Sequence, residues 1–139
     1  MSVPKPERQQ SMMDVQLAAI ALATYTINEA EKDKIVSKRS RWSLGDRLID
    51  AALEIACHID MANSMRIDIA EEAKERLVRQ DLAVACIFRL KTLVRIARSK
   101  KLFESRIEEH WIRTANNVQE LIMAWKESDR NRKRTYRHN

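Results

Sequence analysis

Apolar residues along the chain recur at spacings of three and four, the period of a helix with one face against a core. Four such segments follow one another. The clearest is the last, where Ile107, Trp111, Ala115, Val118, Ile122 and Trp125 form a nearly strict seam. The third offers Leu82, Ala83, Cys86, Ile87, Leu90, Leu93, Val94 and Ala97, and the second Leu44, Leu48, Ala52, Ile55, Ile59 and Ala62. In the first, Leu17, Ala18, Ala21, Leu22 and Tyr25 form the expected core stripe, with Ile20 and Ile27 widening the apolar face.

Each segment opens on a start signal: a capping side chain with a carboxylate three residues later, able to satisfy the free amides of a first helical turn. The pairs are Ser11/Asp14, Ser43/Asp46, Asp68/Glu71 and Ser105/Glu108. They predict helices over 11–35, 43–64, 68–100 and 105–129. Short links after the second and third favour antiparallel neighbours, so the expectation is an all-α, up-and-down four-helix bundle over 11–129. Residues 1–10 read as a disordered tail, and 130–139 as a basic tail that extends the last helix before fraying.

Composition strengthens this reading. The 139 residues include one glycine and two prolines, Pro4 and Pro6, too few turn residues for a strand-rich fold. The length suits one domain with its own core. No apolar run is long enough to span a bilayer, and "MSVPKPERQQ" does not read as a signal peptide, so the expected compartment is the cytoplasm. Cys57 and Cys86 lie inside apolar helical patterns without ligand spacing and read as buried reduced thiols.

Catalytic signatures are missing. There is no phosphate-binding glycine loop, nucleophile elbow or His-Glu-x-x-His run. A di-metal bundle needs Glu-x-x-His on two helices, and isoleucine stands at that offset before both His58 and His110. Asp50, Glu54 and His58 share a helical face, which reads as a solvated ion-pairing stripe. The expectation is therefore no enzyme, no cofactor and no metal.

The charge changes the picture. Formal net charge is +6, which fits a polyanionic or acidic partner and fits a lysine- and arginine-rich surface equally well. Its distribution is uneven. Arg89, Lys91, Arg95, Arg98, Lys100 and Lys101 fall between 89 and 101 with no acid among them, a run longer than helix-dipole matching requires. Lys91, Arg95 and Arg98 lie at i, i+4 and i+7, on a face read as opposite much of the apolar stripe. Lys38, Arg39, Arg41 and Arg47 surround the lone glycine, Gly45. With Ser43 as cap and Asp46 in the first turn, Gly45 needs no positive φ. The missing Cβ suits close approach, by a packed neighbour or by a phosphate at free helix amides. The tail adds Arg130, Arg132, Lys133, Arg134 and Arg137.

The stretch "VSKRSRWSLGDRLIDAALEI" (36–55) resembles the signature F-P-[KR]-S-x-R-[FY]-[ST]-L-G-x-R-[IL]-x-x-[AT]-A-L-x-[IL] of the Avd family, the accessory variability proteins of diversity-generating retroelements. That family is related in fold to the four-helix-bundle proteins encoded in ribosomal RNA intervening sequences. "LKTLVRIARSKKLF" (90–103) is similar to its L-R-x-L-L-R-L-A-x-x-L-x-L-[IL], and Trp125 stands where the family closes on G-G-W. Val36–Ser37 replaces the Phe-Pro pair, and "NVQELIMAW" (117–125) matches E-I-G-R-x-L-G-G-W only loosely. The resemblance implies a homopentameric barrel of bundles that binds a reverse transcriptase and its structured template RNA and enables cDNA synthesis without catalysis of its own. It places Arg41, Gly45, Arg47, Lys91 and Arg95 on motif positions. Relatives also accompany defence-associated reverse transcriptases, so the enzyme served stays open. A stand-alone RNA-binding bundle, or a helical adaptor for an acidic protein, are the alternative readings.

Overall fold

A computed structural model describes the chain over residues 5–32 and 44–138. Among the described residues there are four helices and no strand: α1 (Lys5–Ala30), α2 (Asp46–Asn63), α3 (Ala70–Ser99) and α4 (Ser105–His138). Each helix packs on its sequence neighbours and α1 closes the ring on α4, the arrangement of an up-and-down bundle.

Four seams build the core. Val15, Ala19, Leu22 and Thr26 of α1 face Leu48, Ala52, Ile55, Ile59 and Ala62 of α2. Ala83, Ile87, Leu90, Val94 and Ala97 of α3 and Trp111, Ala115, Val118, Ile122 and Trp125 of α4 complete it. Spacings alternate between three and four along every seam, which keeps one stripe inward. Trp111 is 1% exposed, and its Nε1 donates to Thr26 Oγ1 (3.0 Å), which donates on to the Leu22 carbonyl (2.8 Å). A large indole is thus buried without an orphaned donor.

The first helix differs most from expectation. Its buried stripe is Val15, Ala19, Leu22, Ala23 and Thr26, whereas Leu17, Ile20 and Ala21, expected inside, are exposed. It also begins at Lys5 rather than Ser11, so residues 5–10 are helical and not a disordered tail. Pro6 is no obstacle, because a first-turn residue has no intrahelical N–H bond to lose. Leu82, expected in the core, is likewise exposed at 39%, and Cys57, expected to be buried like Cys86, is exposed because it lies off the inward stripe of 55, 59 and 62.

Two start signals shift. Ile69, not Asp68, caps α3, and Asp68 instead accepts from Arg66 Nε (2.9 Å) within the preceding link. At α4 the Glu104 carbonyl accepts from the amides of Ile107 (3.0 Å) and Glu108 (3.3 Å), so Ser105 is already helical. The α4 helix runs on past residue 129 to His138. At the end of α3, Leu102 N–H reaches the Ala97 carbonyl (3.1 Å) and Lys101 N–H the Arg98 carbonyl (2.8 Å). This is the Schellman closure. It puts Lys101 at φ 60, the left-handed position glycine usually fills.

Candidate nucleic-acid interface

Cross-helix contacts fix which basic residues meet. Gln16 on α1 reaches Asp60 on α2 (3.3 Å), Trp111 reaches Thr26, and Arg76 on α3 pairs with Asp129 on α4 (2.7 Å). One end of the bundle therefore gathers the end of α1, the start of α2, the end of α3 and the start of α4. The opposite end holds the 64–69 link and the C-terminal part of α4.

The first end carries Arg47, Lys100 and Lys101, all exposed and in no ion pair with another described residue, and the half-buried Arg98, whose Nε is buried without a partner. Gly45 is buried with helical torsions (φ −58, ψ −47), beside Asp46 in the first turn of α2. The absent Cβ at Gly45 thus serves close packing. Lys38, Arg39, Arg41 and Ser43 lie outside the described residues.

The expected basic face along α3 does not form as a free row. Lys91 is buried (8% exposed), and its Nζ donates to Asn116 Oδ1 (2.9 Å) and Gln119 Oε1 (3.0 Å) on α4. The ammonium also lies 4.5 Å from the Phe88 ring centre. Burial, and then the charge of Arg95, push its pKa below the ordinary lysine value. Each residue turns the helix by about 100°. Positions 91, 95 and 98 therefore flank the stripe of 90, 94 and 97 and do not oppose it. Arg95 is exposed but faces a groove it shares with Arg113, Glu108, Glu109 and Glu120, an acid-rich setting. Arg89 is paired with Glu54 (3.2 Å).

At the other end the tail bases are engaged. Arg130 pairs with Glu127 (2.8 Å) and Arg132 with Asp129 (3.5 Å). Lys133 borders a cavity of about 290 Å³ with Arg76, Lys126 and Arg130. The side chains of Arg134 and Arg137 lie outside the described residues. Thus Arg47, Arg98, Lys100 and Lys101 share one end of the bundle, while Arg130, Arg132 and Lys133 lie at the far end.

Sequence reasoning missed the buried polar set. Arg76 forks onto Asp129 through Nε (2.7 Å) and Nη2 (3.0 Å) and gives Nη1 to the Met65 carbonyl (2.8 Å). Gln80 Nε2 also donates to Asp129 (2.8 Å), and Arg76 lies over the Trp125 ring at 5.1 Å. The signal was present. Positions 76 and 80 continue the α3 seam of 83, 87 and 90, and 129 continues the α4 seam of 118, 122 and 125.

No known protein family, curated protein or solved structure matches the chain. None of the described helices is long and apolar enough to cross a membrane.

Proposed function

We propose that this protein is a non-catalytic accessory subunit of a reverse transcriptase of the diversity-generating-retroelement type. It acts in the cytoplasm as a homo-oligomer, five copies by the family resemblance, and binds the polymerase and its structured template RNA through basic surface. One observation carries the reading. The two segments that hold the resemblance, 36–55 and 90–103, have their described basic ends at the same end of the bundle, where Arg47, Lys100 and Lys101 have no acidic partner among the described residues. Exposed bases clustered at one end of a bundle suit contact with phosphates.

The test is a binding titration of the full chain with a structured RNA at several salt concentrations. The combined variant Arg47→Glu, Lys100→Glu and Lys101→Glu should weaken binding at least tenfold. It should also flatten the salt slope by about one unit per lost phosphate contact. Wild-type affinity in that variant overturns the assignment of this end. RNA binding with no polymerase recovered from the native host favours a stand-alone RNA-binding bundle. Capture of an acidic protein without RNA favours an adaptor.

A further inference from the structure

The interface between α2 and α3 holds a mixed donor set that the sequence alone did not bring together. Glu54 and His58 are one helical turn apart on α2, and Cys86 faces them from α3. One carboxylate oxygen, one imidazole nitrogen and the thiol sulfur all lie within 4.8 Å of one another. Cys86 is buried, His58 half-buried and Glu54 exposed, so the set runs from the core to the surface. The thiol already donates to Glu54 Oε2 at 3.4 Å. His58 Nδ1 is buried and makes no hydrogen bond. A half-buried imidazole with an unsatisfied buried nitrogen, packed near a thiol and a carboxylate, is a set short of a ligand, since buried polar atoms are ordinarily satisfied.

We propose that Glu54, His58 and Cys86 form a zinc site that clamps α2 to α3, with water as the fourth ligand. Thiolate and imidazole select zinc over the oxygen-loving magnesium and calcium, and three protein ligands plus water is a recurrent zinc arrangement. Metal–ligand bonds of about 2.0–2.3 Å put tetrahedral donors about 3.5 Å apart. Cys86 Sγ and Glu54 Oε2 already stand 3.4 Å apart, and the pairs that include His58, within 4.8 Å, close to the same value when the metal binds. Glu54 exchanges part of its contact with Arg89 for the metal, and the guanidinium is free to turn outward because it is exposed. The chemistry is ligand exchange alone. The S–H bond of Cys86 gives way to a sulfur–zinc bond, the proton passes to solvent, and no electron changes hands. This inference does not depend on the nucleic-acid reading.

The metal-free full chain, titrated with zinc chloride in a calorimeter, should bind one zinc per chain. Titration with cobalt(II) should produce a thiolate-to-cobalt charge-transfer band. Cys86→Ser should abolish the band, and His58→Ala, which removes a ligand outright, should weaken metal binding by more than about 100-fold, while Cys57→Ser, one position before His58 and outside the set, should keep both. Should Cys86→Ser fail to fold, alkylation of wild-type Cys86 decides instead, because bound zinc must slow it. The proposal is overturned by absent stoichiometric binding, by a band that survives Cys86→Ser, or by alkylation indifferent to zinc.

Discussion

Lys101 occupies the left-handed position that closes α3, while Gly45, the one glycine in the chain, has helical torsions that any residue can adopt. A side chain with a Cβ in that region costs about 1 kcal/mol. Lys101→Gly should therefore stabilise the fold by about 0.5–1 kcal/mol, read from the urea midpoint, while weakening RNA binding if this end contacts phosphate. An unchanged midpoint shows that the strain is relieved elsewhere. At Cys86, burial first, then the hydrogen bond and charge of Glu54, push the thiol from 9.0 up to about 11, against a smaller opposing effect of Arg89. A raised folded value means the stabilisation is fully present below pH 9.0 and is lost as pH climbs through about 11. In chelator-containing buffer, wild type should lose on the order of 1 kcal/mol across that window relative to Cys86→Ser. Parallel pH profiles of the two proteins contradict this.

Among elements, α3 and α4 are joined by two unlike segments of one interface. Apolar seams meet along the middle, and below them the Arg76–Asp129 fork, with Gln80 and the Met65 carbonyl, ties the 64–69 link to both helices. Arg76 and Asp129 are 7% and 12% exposed at their side chains, so removing one partner strands a desolvated charge. Asp129→Ala should cost about 3–5 kcal/mol in urea denaturation. Adding Arg76→Met should recover more than half of that loss, because the stranded charge goes with it. Equal losses in the single and double variants rule out charge stranding as the cause. The α1 helix illustrates a different limit. From Leu17 to Ala23 every residue is apolar, so helical periodicity alone assigns no inward face there. The small Ala19 and Ala23 are buried, and the hydroxyl of Thr26 faces inward to accept from Trp111.

For the whole molecule, most of the exposed large apolar residues concentrate on two helices. Met13, Leu17 and Ile20 lie on α1, and Leu77, Val78, Leu82, Phe88 and Ile96 on α3, while Leu53, Met61, Ile69 and Met123 stand apart from them. These helices stand diagonally in the ring, so the two patches face opposite sides of the bundle. Unlike patches on opposite sides favour head-to-tail contact, which forms a ring when the rotation between subunits closes. Light scattering should give a mass several times the 16.3 kDa chain, and Leu17→Lys or Phe88→Glu alone should reduce it to a monomer with unchanged helicity. Mixing these two variants should yield a dimer, since each keeps the face the other has lost. A wild-type monomer at micromolar concentration, or an inert mixture, contradicts head-to-tail assembly.

The order of apolar and polar residues determined by itself that this chain is helical, that it folds as a bundle, and which residues of α2, α3 and α4 form most of the core. The reason is local: a three-and-four spacing places side chains on one face of a helix whatever surrounds it. It also carried, unread, the polar seam positions 76, 80 and 129. Only the tertiary structure decided their pairing, the phase of α1, the burial of Lys91 against Asn116 and Gln119, and the meeting of Cys86 with Glu54 and His58. Each of these depends on a partner many residues away, and a charge or a thiol acquires its chemistry from what packs against it.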